Sequence, residues 1–192
     1  MSLGKTIEEE MIRLDSIDDN YLTRLSGLIT YDRAYLSKNS EKQFFSKGAL
    51  DSLRMPKMNR ELKCLSEALY FEARGESVIG QFAVAEVIVN RANSSKFPDT
   101  VCGVVNQGTN KNRYKCQFTY MCDGLLESID DKASYARAGK IAKMTLWDVK
   151  INLTNGALYY HAKSVNPSWA KKLVRTGIIG DHKFYSDNAL VN

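Results

Sequence analysis

No stretch of this 192-residue sequence stays apolar for the roughly 18 residues that a membrane-crossing helix needs. The first fifteen residues are acidic where a secretory leader would carry a positive start and an apolar centre. No export signal is expected, and a target outside the cytoplasm would need release by another route. Internal repeats and low-complexity runs are absent as well. The four cysteines, Cys64, Cys102, Cys116 and Cys122, fit no strong zinc spacing, because Cys116 and Cys122 stand too far apart for a knuckle. A disulfide among Cys102, Cys116 and Cys122 and a fully reduced set are both open at this point, since pairing is not readable from sequence. His161 and His182 lack an H-x-x-x-H spacing, and neither precedes a carboxylate motif that would orient it. These absences argue against metal-dependent and cysteine-nucleophile chemistry, and no cofactor or metal is expected. Nucleic acid is not an expected partner either, for want of a zinc finger, an RNA-binding signature or a long basic helix.

What is present is enough for one core. At 44% hydrophobic, the chain can bury a single globular domain with an appendage. The net charge of +5 is modest, but Lys163, Lys171, Lys172 and Arg175 form a basic run with no acid between them, as do Lys111, Arg113 and Lys115. Basic faces of this kind suit anionic polymers, including envelope polymers, although a solvated surface is the commoner outcome.

The most informative stretch is LSEALYFEARGESVIGQFAVAEVIVNR, at positions 65–91. Glu72 follows Leu69 by three residues, Ala68 by four and Leu65 by seven, so a helix places all four on one face. A carboxyl on an apolar face has its charged form disfavoured, which suits it to proton donation near neutral pH. An ordinary, partly exposed glutamate at a helix end is the competing reading at even weight. Arg74 and Gly75 are expected to close this helix, which spans positions 62–74. A second helix is expected over 79–92, apolar nearly all round and so central to the core. It carries Glu86, a second candidate buried carboxylate. Gln81, Asn90 and Arg91 could hold the acids in place.

Positions 1–58 read as a helical N-terminal extension of unassigned role, with a capping box at Thr6 and Glu9 and a second helical pattern through Leu22, Leu25, Ile29 and positions 31–36. Its aromatics favour packing on the domain that follows, at 59–192. Positions 93–100 are a loop, and VCGVVNQG is a strand or a helical turn. In the next run Gln117, Thr119, Tyr120 and Asp123 mix amide, hydroxyl and aromatic groups as a sugar-binding groove would. A third helix is expected over 134–150, a turn at Asn155 and Gly156, a strand in GALYYHA, a helical turn in NPSWAKKL and a hairpin in VRTGIIGDHKFYS. The expected class is therefore α+β, mainly helical, with a small antiparallel sheet towards the C-terminus.

These residues resemble the cell-wall hydrolases related to the spore-cortex-lytic enzymes SleB and CwlJ. The resemblance runs in order through EARGE at 72–76, GQFAVAEVIVNR at 80–91, the FP, CGVV and Q elements of 97–107, and CQF and CDG at 116–124. It continues through GALYYHA at 156–162, NPSWA at 166–170 and IGDHKFY at 179–185, about two thirds of the chain. It implies a lysozyme-like domain cutting peptidoglycan glycan strands between N-acetylmuramic acid and N-acetylglucosamine. It also implies that Glu72, the first glutamate of EARGE, is the catalytic acid. With no Asp at an obvious second position, the chemistry leans to a lytic transglycosylase, with muramidase hydrolysis close behind. Glu76, then Glu86, then Asp123 are the candidates for a second carboxylate. Gln81, Gln117, Thr119, Asp123, Tyr159, Tyr160, His161 and Asn166 are the candidate substrate-binding residues. Strand alternation lets only one of Tyr159 and Tyr160 face the cleft, and Tyr159 is favoured. The expected setting is a monomer acting on the bacterial wall, as a phage lysin released from the host cytoplasm or as a bacterial enzyme.

Overall fold

The computed structural model describes residues 30–32, 45–109, 116–148 and 150–187. The capping box at Thr6, the pattern through Leu22 to Ile29 and the basic run at Lys111 lie outside the described residues. The first element is a strand, β1 (Thr30–Asp32), paired in parallel with β2 (Lys150–Asn152). This corrects two expectations: Tyr31 and Asp32 are extended rather than helical, and Lys150 has left the third helix for a strand. The pairing joins residues about 120 positions apart, which local periodicity cannot report.

Among the described residues, five α-helices follow in chain order: α1 (Lys47–Ser52), α2 (Arg60–Ala73), α3 (Val78–Ala92), α4 (Val101–Val105) and α5 (Lys132–Lys143). Each of the last four starts at a side-chain cap that satisfies an otherwise orphaned amide. The capping oxygens are Asn59 Oδ1 to Leu62 N at 2.9 Å, Ser77 Oγ to Gly80 N at 3.2 Å, Thr100 Oγ1 to Gly103 N at 3.0 Å and Asp131 Oδ1 to Ser134 N at 2.9 Å. Asp131 thus starts α5 before the expected position, and a π-helical turn (Met144–Asp148) ends it. Gly75 is not among the left-handed glycines, so α2 ends without the expected glycine cap.

Helix α3 is the centre of the core. Phe82, Ala83, Val84, Ala85, Val87 and Ile88 are all buried, each large side chain contributing about 1.5–3 kcal/mol by leaving water. Residues assigned by sequence to the extension also reach it. Phe45 meets Phe82 edge-on at 5.1 Å, Leu50 is fully buried, and the Asp51 carboxylate pairs with Arg137 of α5. No described helix is long and apolar enough to cross a membrane.

The C-terminal sheet has three antiparallel strands in the order β3 (Tyr159–Ala162), β5 (His182–Ser186), β4 (Val174–Ile179), as expected for an α+β fold. A 3-10 turn (Ser168–Lys172) precedes β4. The register sets Tyr159 opposite Tyr185 and Tyr160 opposite Phe184. One face therefore carries Tyr160, His182 and Phe184, and the other Tyr159, His161 and Tyr185.

Candidate active site

Glu72 occupies the last turn of α2, one residue beyond Phe71 and two beyond the fully buried Tyr70. It is half-buried and opens onto a cleft of about 400 Å³ that is also lined by Phe71, Arg74, Thr119, Tyr120 and Asp123, with the exposed Leu125 and Leu126 at its rim. Burial raises the Glu72 carboxyl pKa, and the Thr119 backbone N–H opposes that shift by favouring the anion. Tyr120 stacks on Phe71 at 4.7 Å and bounds the cleft beside Glu72. Tyr160 lies within range of the Glu72 charge, and both tyrosines have their hydroxyl pKa pushed up, by burial first.

The segment that brings Thr119 to Glu72 is a 3-10 turn (Thr119–Met121) closed by a disulfide between Cys116 and Cys122. A second disulfide, Cys64 to Cys102, ties α2 to α4, and the Glu61 carboxylate accepts from Cys102 N at 3.0 Å beside it. All four cysteines are therefore paired, and a cysteine nucleophile has no thiol to use.

The other carboxylates have different surroundings. Glu76 lies outside the cleft lining, with Oε2 accepting from Asp181 N at 3.1 Å and Oε1 3.1 Å from His182 Nδ1 at ion-pair distance. A β-carbon at Gly180, whose φ is +54°, would collide with that carboxylate, and one at Gly80 would come within 2.8 Å of it. Glu76 thus anchors the β4–β5 turn to the start of α3. Glu86 is buried within α3 and accepts from Leu153 N at 2.7 Å, Thr154 N at 3.1 Å and Thr154 Oγ1 at 2.5 Å. Its role is to satisfy the chain that leads into β3. Asp123 alone among the candidate second acids lines the cleft, with Oδ1 accepting from Leu125 N at 2.8 Å.

The candidate substrate-binding residues separate. Thr119 and Asp123 share the cleft with Glu72, whereas Gln81 is buried and donates to Glu76 O at 3.1 Å. Gln117 and Asn166 are exposed outside the cleft lining. Neither Tyr159 nor Tyr160 is among the residues lining the cleft. Tyr160 faces His182, Phe184 and the side of Glu72, while Tyr159 meets Phe97 at 6.0 Å and Trp169 at 6.1 Å. His161 belongs to the Tyr159 face, stacked on Tyr185 and bonded through Nε2 to its hydroxyl at 2.9 Å. His161 and His182 therefore sit on opposite faces of the sheet. The sequence reading gives no site role to Phe71 or Arg74, whereas Tyr120, counted there among groups suited to a sugar-binding groove, lines the cleft. The adjacency of Phe71 and Arg74 to Glu72 was the available signal.

The model of the family described as Cell Wall Hydrolase matches residues 75–185, a span that begins three residues after Glu72. The chain is 28% identical over 94% of its length to the spore cortex-lytic enzyme of Oceanobacillus iheyensis, and 33% identical over 66% of its length to that of Bacillus subtilis strain 168. It spans 66% of the first relative and 37% of the second. Among solved structures, the catalytic domain of the germination-specific lytic transglycosylase SleB from Bacillus anthracis matches with a TM-score of 0.50 at 29% identity, covering 70% of this chain and 100% of that one. The matched family span takes in more than half of the chain, from Gly75 just ahead of α3 to the last strand, so the protein belongs to the cell wall hydrolase family.

Proposed function

We propose that the chain cleaves the glycan strands of peptidoglycan as a lytic transglycosylase, with Glu72 as its one catalytic acid and base. The observation that carries this reading is a carboxyl at the end of an apolar helix face, opening on a cleft and held towards its neutral form by burial. Neutral Glu72 gives its proton to the glycosidic oxygen as the bond from that oxygen to C1 of the muramic residue breaks. The resulting Glu72 carboxylate then removes the proton from the muramic 6-hydroxyl as O6 bonds to C1. The products are an anhydromuramic end and a free N-acetylglucosamine hydroxyl. Glu72 returns to its protonated form, and no water is consumed. The resemblance to the SleB catalytic domain supports the same reading.

The remaining site assignments are proposals of the same kind. Thr119 and Asp123 border the scissile region, and Tyr160 shapes the wall behind Glu72. Hydrolysis with Asp123 as base for water is the second reading, favoured over one through Glu76 because Asp123 shares the cleft. Residues 59–192 form the catalytic unit, and the wall is the site of action.

Digestion of purified sacculi separates these outcomes by mass spectrometry of the products. Anhydro-muropeptides lost in Glu72→Gln are the expected result. Reducing muramic ends from the wild type would replace transglycosylation by hydrolysis, and new peptide termini would overturn both.

A further inference from the structure

We propose that the sheet face turned away from the cleft is a docking surface for an anionic phosphodiester polymer of the cell envelope. This surface is separate from the glycan cleft and does not depend on the chemistry assigned there. Arg175 stands opposite Tyr185 in the β4–β5 register, and Lys183 stands opposite His161 in the β3–β5 register. Directly opposed residues of antiparallel strands share a face, so both cations lie on the Tyr159 side. Trp169 fixes the 3-10 turn to that same face by meeting His161 edge-on at 5.5 Å and Tyr185 at 5.6 Å. Lys171 and Lys172, which follow it in the same turn, are exposed.

The acids nearby leave these cations unmatched. Between positions 163 and 187 the only acids are Asp181 and Asp187. Asp181 lies 3.9 Å from Lys163, and Asp187 is paired with Lys96. Lys171, Lys172, Arg175 and Lys183 have no acidic partner within salt-bridge distance among the described residues. The cleft side has the opposite sign, with Asp123, Glu127 and Asp130 around Glu72.

This separation decides the class of ligand. Cations spread over a 3-10 turn and two strands, without a pocket, suit charges repeated along a flexible chain better than one compact anion. The Arg175 fork and the lysine ammonium groups are both good phosphate partners. The acidic cleft repels the same polymer, so docking leaves the cleft pointing away from it. Stem-peptide carboxylates are the competing source of negative charge, and stripping phosphate polymers from sacculi distinguishes the two.

The test measures binding of the full chain to purified poly(glycerol phosphate), and its co-sedimentation with sacculi before and after hydrofluoric acid extraction. The wild type is expected to bind the polymer, to weaken about tenfold between 50 and 200 mM salt, and to bind stripped sacculi less. The Lys171→Glu/Lys172→Glu/Arg175→Glu variant is expected to lose about tenfold or more in affinity. Lys171→Gln/Lys172→Gln, at two exposed positions, gives a smaller loss and serves if charge reversal prevents folding. Wild-type affinity in these variants, undiminished binding to stripped sacculi, or equal affinity for duplex DNA would overturn the proposal.

Discussion

Thr119 directs its backbone amide towards Glu72 and partly offsets the burial that raises the Glu72 carboxyl pKa. The two residues are 47 positions apart, and a disulfide-closed turn brings them together. The position of that turn therefore bears on the protonation state of the proposed acid.

Glu72→Gln keeps the shape of the side chain and removes its proton transfer, so product release is expected to fall about 10²- to 10⁴-fold. Stability should move the other way. A carboxyl whose folded pKa lies above its unfolded value binds protons more tightly when folded, so its contribution to stability is present at low pH and is lost as pH rises through the folded value. The ordinary value is 4.5 and Glu72 is raised from it. The variant should therefore equal the wild type in acid and exceed it at neutral pH. Thermal melts at pH 4 and pH 7 check this, and a variant less stable at pH 7 would contradict the assigned burial.

Glu76→Gln is expected to cost about 1–3 kcal/mol, because it weakens a buried anchor, while the rate per folded molecule stays near that of the wild type. Denaturant unfolding paired with initial rates on sacculi separates the two effects. A loss of rate without a loss of stability would restore Glu76 as a reacting group.

His182 has its pKa lowered, with burial outweighing the attraction of Glu76 and Asp181. A lowered histidine binds protons more readily once unfolded, so its contribution is present above the ordinary value of 6.5 and is lost as pH falls through the folded value. Stability is expected to decline below about pH 6.5, and His182→Asn should flatten that slope. An unchanged slope would assign it to other groups.

The two disulfides are expected to differ in what they protect. Cys64→Ser/Cys102→Ser should cost about 2–4 kcal/mol in unfolding measurements with the rate largely kept. Cys116→Ser/Cys122→Ser closes a much shorter loop in the wild type, but its loss frees the turn that presents Thr119. Its rate on sacculi should fall about 10- to 100-fold, the scale for displaced active-site geometry. Equal rates in the two variants would detach the turn from catalysis.

Counting along one helix face grouped Glu72 with Leu65, Ala68 and Leu69, which lie within two turns of it and are all buried, but left an ordinary helix-end glutamate at even weight. The same local logic located α2, α3 and the β4–β5 hairpin to within a few residues. It could not report partners that lie far along the chain. Glu76 and Glu86 looked like reserves of acid, yet one is bound to Asp181, 105 residues away, and the other to Leu153 and Thr154, 67 and 68 away. Strand alternation showed that Tyr159 and Tyr160 must diverge, but both sides of β3 are covered. Only the placement of Trp169 and Glu72 reveals which side is which.

The anchored turn at Gly180 also limits what related sequences can do. An added residue between Ile179 and His182 would displace the Asp181 amide from Glu76 and put a side chain where the carboxylate lies. The length of this hairpin should accordingly be invariant through evolutionary divergence. Insertions and deletions should gather instead at the exposed rim around Leu125 and Leu126, where new chain meets solvent.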